Sequence, residues 1–265
     1  KVLSGLINEA RLNISKDGLK IVEMDPANVG MAIFHLLPSA CVEYEAQEEP
    51  FSIGVNLNSL LAILKNAKKS DILELSIAED GLMTAAKKEG DFSPDKIVSG
   101  SLNISLKGSI TRNYTLPLID LSDKREDKIP SLEFKAKVKM PSDAFADAVK
   151  EADTIAESVV FEAIEQFIDT TENPGPKEHQ KSFIMSVEGD IQKLNIPFRE
   201  DENTKIEGNA RAKYSIEYLK KMSAAKCLSD DVFLEFGTDY PIRITYRQVD
   251  RLSLVWILAP RVEND

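Results

Sequence analysis

Two stretches of this chain carry the same pattern of apolar positions, 159 residues apart. Leu60, Ile63, Leu73, Leu75 and Ile77 recur at that spacing as Leu219, Met222, Val232, Leu234 and Phe236. The first two positions of each set share a helix face, and the last three alternate along one face of a strand. Five core-type positions in one register across two elements predict a duplicated unit. The chain of 265 residues is long enough to hold two domains of ordinary size.

Around this repeat, strand signals dominate. Short apolar or alternating runs at 12–14, 20–23, 31–37, 51–55, 72–77 and 82–86 are bounded by Gly, Asp, Asn or Pro. Asp17-Gly18 and Asp80-Gly81 predict hairpin turns, because both residue types tolerate positive φ. Four segments have helical periodicity: 1–10, 58–69, 142–155 with Ser142 as N-cap after Pro141, and 215–226. The first of these reads as a helix already under way, so sequence is expected before Lys1. Residues 117–134, with two prolines and the charged run DKREDK, read as an extended connector between domains at 1–116 and 135–265. Segments 89–100 and 170–180 are expected as surface loops.

Composition narrows the function. No apolar run approaches the roughly 20 residues needed to span a bilayer. Cys41 and Cys227 lack metal-like spacing and fit a reducing compartment. His35, in an apolar strand, and His179, in a Pro/Gly-containing loop, read as packing and solvated residues. There is no phosphate-cradling glycine loop, no metal-spaced His/Cys cluster and no nucleophile elbow, so an enzyme and a cofactor find no support. The net charge of −11 argues against phosphate binding by the body as a whole. Any DNA contact requires a local basic surface. The polar helix faces offer one: Lys1 on the first, Lys65, Lys68 and Lys69 on the second, Lys150 on the third, and Lys220, Lys221 and Lys226 on the fourth. Lysines near helix C-termini also complement the helix dipole without any ligand, and Asp143 and Asp147 dilute the positive field of the third helix.

MDPANVGM (24–31), VKMPSDAF (138–145), DYPIRITYR (239–247), WILAPRVEND (256–265) and LINEA (6–10) together resemble DNA sliding clamps of the proliferating cell nuclear antigen (PCNA) type. The resemblance covers nearly the whole chain, in register with the internal repeat. It implies an α+β fold of two similar clamp domains, with antiparallel sheets outside and helices lining one concave face. It implies a trimeric ring that encircles double-stranded DNA without reading its sequence, with the eight lysines above facing the duplex. It further implies a non-enzymatic processivity factor without cofactors. Its partners would be DNA polymerase, a clamp loader of the replication factor C type, a flap nuclease and DNA ligase, recruited through short peptides.

The matching partner pocket would be Met24, Asn28, Val29 and Met31, with Ile129 and Pro130 of the connector, and Pro241, Ile257, Ala259 and Pro260 as its wall. Ordinary core and turn packing is the alternative for these residues. Subunit contacts would run edge to edge between strands at 111–116, with Tyr114 and Leu116, and at 190–196, with Ile191 and Leu194. The charged connector at 124–128 departs from the more apolar family pattern and bears on partner choice. A clamp of this kind is nucleoid-associated in an archaeal cytoplasm, or nuclear in a eukaryote. Two readings stay open beside it: a subunit of a heterotrimeric or checkpoint-type clamp, and an acidic interaction scaffold unrelated to DNA.

Overall fold

The 159-residue spacing survives folding element by element. The first half contains β1 (Glu9–Ser15), β2 (Gly18–Met24), β3 (Gly30–Leu36), β4 (Phe51–Asn56), α1 (Leu57–Leu64), β5 (Ile72–Ile77), β6 (Ile97–Val98), β7 (Ser101–Lys107) and β8 (Thr111–Pro117). The second contains β9 (Ala136–Pro141), α2 (Ser142–Ala152), β10 (Ser158–Ile168), β11 (Glu178–Glu188), β12 (Lys193–Arg199), β13 (Lys205–Glu207), β14 (Ala210–Ser215), α3 (Ile216–Ser223), β15 (Asp231–Phe236), β16 (Ile242–Gln248) and β17 (Leu252–Leu258). The elements β4, α1 and β5 correspond residue for residue to β14, α3 and β15 at that spacing.

This computed structural model describes residues 1–77, 97–98, 100–121, 127–168 and 178–261. The expected strand at 82–86, the turn at Asp80-Gly81, most of the two expected surface loops, connector residues 122–126 and the last four residues lie outside the described residues. Residues 178–180, expected in a loop with His179, belong instead to β11.

Ten strands form one sheet in the order β13-β9-β15-β16-β17-β3-β2-β1-β4-β6. Sheets of four (β12-β11-β10-β14) and three strands (β5-β7-β8) accompany it. All pairs are antiparallel except the two-residue contact of β4 with β6. The halves are joined by β3 and β17, in the register Met31↔Ile257, Ala32↔Trp256 and Ile33↔Val255. Trp256 and Ala32 are both fully buried. The large ring therefore sits opposite the smallest side chain that leaves room for it.

One apolar core runs through both halves, with the helices on it. Phe145, Val149 and Ala152 of α2 and Leu219 and Met222 of α3 belong to that core, and Leu60 and Ile63 of α1 pack against it half-buried. In the second half it centres on Phe161, whose ring meets Phe145, Phe183, Tyr214 and Phe236 at centroid distances of 5.3–6.3 Å. Side chains alternate across each strand. Leu234, Ile244 and Trp256 therefore face the helices, while Glu235, Thr245, Val255 and Ile257 face the other way.

Several expectations need correction. Residues 1–10 are not a helix: a single 3-10 turn, Leu3–Gly5, leads directly into β1. Leu6, Ile7 and Ala10 are buried as the helical pattern suggested. Pairing of Glu9 with Asn56 and Ala10 with Val55 nevertheless claims the backbone for the sheet. The turn after β1 is Lys16-Asp17, with Gly18 closing it at φ 120°, where any side chain would strike the Leu36 carbonyl.

α1 ends at Leu64, before its expected limit, because Asn66 and Ala67 switch to i→i−3 bonds and Lys68 takes the Asp71 carboxylate. Asn56 caps its start, accepting from the Ser59 N–H at 2.9 Å. Ser142 opens α2 as its first residue rather than capping it, and its hydroxyl is buried without a partner among the described residues. α2 stops at Ala152, and after Ser223 α3 continues as the 3-10 turn Ala224–Leu228.

The repeat is also less symmetric in burial than in register. Leu73 and Leu75 are 45% and 48% exposed, whereas their counterparts Val232 and Leu234 are fully buried. Strand β9 pairs with β15, and α2 packs over it. Among the described residues β5 pairs with β7 alone.

Phe161→Ala removes the ring on which four other rings converge. It is expected to cost about 3–5 kcal/mol of stability, measured as a lower urea midpoint with an unchanged slope.

Candidate functional site

The face of the ten-stranded sheet that turns away from the helices bears a depression of about 240 Å³. Strands β3, β15, β16 and β17 supply Ile33, Glu235, Arg243, Thr245, Val255 and Ile257, and the connector covers them with Ile129, Pro130 and Leu132. Val22, Met31 and Ile257 form a small apolar cluster on the same face, flanked by Met24, Ile33 and Leu132. Ile129 is 46% exposed, so the rim presents apolar surface to solvent. A shallow cavity lined mostly by apolar side chains, with Glu235, Arg243 and Thr245 as its polar members, suits a hydrophobic side chain delivered by a peptide.

The connector is tied to the first half by the Leu118 and Ile119 N–H groups, which donate to the Gly100 and Gly54 carbonyls at 2.9 Å, and by two side-chain bonds. The Arg11 guanidinium donates to the Leu121 carbonyl at 2.6 Å, and the Met24 N–H donates to the Asp127 carboxylate at 2.7 Å. A charged connector residue therefore orients the depression's wall through a bond to first-half backbone without itself lining the depression.

The loop from β2 to β3 is organised by Asp25. Its carboxylate accepts from the N–H groups of Ala27 (3.1 Å), Val29 (2.7 Å) and Gly30 (2.6 Å), and from the Tyr218 hydroxyl on α3 (2.7 Å). Burial alone would raise its pKa. Hydrogen bonds from Gly30, Tyr218, Val29 and Ala27 outweigh that and hold it below the usual carboxylate range. The Tyr218 hydroxyl is pushed up to about 12 by burial and by the Asp25 carboxylate. Asn28 takes φ 57°, a conformation Asn tolerates through its short polar side chain. A side chain at Gly30 would meet Met222 and Tyr218 at 3.3 Å. This single residue ties the loop beside the depression to a helix on the opposite face.

The expected pocket residues thus divide. Ile129, Pro130 and Ile257 border the depression, and Met24 and Met31 extend its apolar surface beside Ile257. Asn28 and Val29 sit in the Asp25 loop, and Ala259 bonds the Val29 carbonyl at 3.0 Å. Pro241, Ala259 and Pro260 are half-buried and do not border the depression itself. Ile33, Val255, Thr245 and Leu132 were not among the expected residues. The first three lie on the outward register of strands, a signal that period-2 alternation carries only once the inward face is known. Asp25 and Tyr218 were missed as well, although Asp25 lies within the MDPANVGM motif.

On the helix side the lysines form two classes. Lys226 pairs with Asp143 at 2.8 Å and approaches Asp147 at 3.9 Å. The hydrogen bond to Asp143 raises the Lys226 pKa. Lys221 pairs with Glu217 at 2.8 Å, and Lys220 pairs with Asp153. Lys1, Lys65, Lys68, Lys69 and Lys150 are exposed and have no ion-pair partner among the described residues. Lys65 is the C-cap of α1, Lys68 and Lys69 lie in the turn beyond it, and Lys1 precedes the first 3-10 turn.

Strands β8 and β12 are both outer strands of their sheets. Tyr114 and Leu116 lie on β8 and Leu194 on β12, half-buried or buried against the core. The second expected edge is shifted, with β12 spanning Lys193–Arg199. Ile191 is therefore in the preceding turn and 92% exposed. Pro197 interrupts the row of N–H donors on β12, as suits an outer strand.

Residues 1–91 match the family described as proliferating cell nuclear antigen, N-terminal domain. The DNA polymerase sliding clamp of Nanoarchaeum equitans is 30% identical over 98% of this chain and 93% of its own length. That of Methanothrix thermoacetophila is 32% identical over 100% of this chain and 94% of its own. Among solved structures, A. fulgidus PCNA with the C-terminal region of FEN-1 bound superposes with a TM-score of 0.78 at 27% identity, covering 100% of this chain and 94% of that one. PCNA from Entamoeba histolytica shares the fold, with a TM-score of 0.77 at 18% identity over 98% of this chain and 92% of its own.

The Asp25 knot has a pH signature. An unfolded Asp titrates near ~3.9, and the folded group titrates lower. Its contribution is thus full above pH ~4 and is lost as pH falls through the folded value. Asp25→Asn is expected to lower stability by about 2–3 kcal/mol at neutral pH. In urea titrations the gap from the parent chain should narrow below pH ~3.5.

Proposed function

The chain belongs to the family of PCNA-type DNA polymerase sliding clamps, and on that premise we propose how it works as one. Two clamp domains, 1–116 and 135–265, joined by the connector 117–134, form a subunit of a closed trimeric ring around double-stranded DNA. The ring tethers DNA polymerase and a flap nuclease to the duplex. By the same route it engages DNA ligase and a clamp loader of the replication factor C type. It catalyses nothing and acts wherever the chromosome is replicated.

One observation carries this reading. The helices of both halves lie on one side of the shared sheet, with lysines that have no ion-pair partner among the described residues, while the largely apolar depression opens on the other. A molecule of net charge −11 can then present cations inward without gripping DNA tightly. Each phosphate neutralised adds to binding through counterion release. Pairing of Lys220, Lys221 and Lys226 with carboxylates limits how many phosphates are neutralised at once, which favours sliding over static capture. Closure of the ring, by pairing of β8 with β12 of a neighbouring subunit, supplies retention that charge does not.

Light scattering of the purified protein is expected to give three times the chain mass, and the loaded protein should stay on circular DNA and run off linear DNA. A monomer, or equal retention on both, refutes the proposal. Replacing Lys65, Lys68 and Lys69 together by Ala is expected to leave the trimer intact. It should cut polymerase processivity several-fold and flatten the salt dependence of DNA binding by up to about 3 in log–log slope.

A further inference from the structure

Across the outward face of the sheet, side chains stand in two rows that cross six strands. One row runs Glu207–Lys137–Glu235–Arg243–Ile257–Met31 and alternates in sign before turning apolar. Within it the Arg243 guanidinium bonds Glu235 at 2.6 Å. The other runs Lys205–Lys139–Phe233–Thr245–Val255–Ile33 and contains no carboxylate. It sets two lysines directly opposite each other, an arrangement that destabilises a sheet.

That repulsion is only partly relieved. Lys139 pairs with Asp231 at 2.7 Å, whereas Lys205 reaches only the Asp201 carbonyl, at 2.8 Å. Arg247 lies over the Phe233 ring at 4.6 Å. Neither Arg247 nor Lys137 has an ion-pair partner among the described residues.

These groups border an open groove of about 330 Å³ that adjoins the depression, the two sharing Glu235 and Thr245. Lys137, Lys139, Lys205 and Arg247 stand against Glu207 and Glu235, and Glu235 is already engaged by Arg243. On an acidic body this is a local positive excess with an aromatic floor, continuous with an apolar cavity. Three strand spacings separate Phe233 from Ile33, or about 14 Å, the reach of four to five extended residues.

We propose that this groove receives acidic side chains of the same client segment whose apolar plug fills the depression. The inference rests on the clamp reading above and adds to it a charge rule for partners: carboxylates four to five residues from the plug strengthen binding. Electrostatic selection of this kind sets specificity and salt dependence more than it sets bulk affinity.

The test uses labelled peptides comprising the C-terminal region of FEN-1, a four-residue spacer and either three Glu or three Gln. The extension is placed on the N-terminal side in one pair and on the C-terminal side in another. Each is titrated by fluorescence anisotropy against the full chain. In one pair the Glu peptide is expected to bind about five-fold tighter at low salt, with the advantage vanishing at about 0.5 M salt. Lys205→Gln combined with Arg247→Gln should abolish the advantage while leaving the Gln peptides' affinity unchanged, which also shows that the variant is folded. Equal affinity of Glu and Gln peptides in both pairs overturns the groove and leaves the plug standing. An advantage that persists in the double variant overturns it too, because the acids are then read elsewhere. Failure of every peptide to bind overturns the plug reading and this inference together.

Discussion

Everything in this chain that bears on the proposed function is arranged around the pairing of β3 with β17. That seam makes a single sheet from two halves of the chain, with Trp256 set against Ala32 on its inner side and Ile257 against Met31 on its outer side. Strand alternation then does two things at once. Inward residues join the core on which all three helices pack, and outward residues floor the depression. Without the seam the outer cavity would have no floor, because Ile33 comes from the first half and Val255 and Ile257 from the second.

A second constraint locks the two faces to each other. Asp25 begins the loop beside the depression, and Tyr218 projects from a helix of the opposite layer. A buried carboxylate is tolerable only when its hydrogen-bonding capacity is met, and here three backbone N–H groups and one phenol meet it. The loop therefore cannot move freely while α3 stays in place. Asp127 and Arg11 extend the same logic to the connector: the Asp127 carboxylate accepts from the Met24 backbone N–H, and the Arg11 guanidinium donates to the Leu121 carbonyl.

Charge is distributed with comparable economy. The helix side mixes lysines without an ion-pair partner among the described residues with lysines paired to Asp143, Asp153 and Glu217. The outer side concentrates cations where Lys139 and Lys205 face each other. Net charge alone would have pointed away from any polyanion. Placement, rather than sum, decides what such a surface attracts.

The amino-acid sequence by itself determined the duplication, most strands, and the apolar faces of α1, α2 and α3, because periodicity of 2 and 3.6 is a local property of side-chain order. It misjudged residues 1–10, where an i, i+3, i+4 pattern was absorbed by a 3-10 turn and a strand pairing with residues more than forty positions away. It also treated Leu73 and Leu75 as equivalents of Val232 and Leu234, although only the latter pair is covered by β9 and α2. Tertiary structure alone decided which outward residues meet. Ile33 finds Val255, Lys205 finds Lys139, and Asp25 finds Tyr218 across 193 positions. No local pattern encodes such encounters, because they depend on sheet register and on which helix covers which strand, and those are properties of the assembled core.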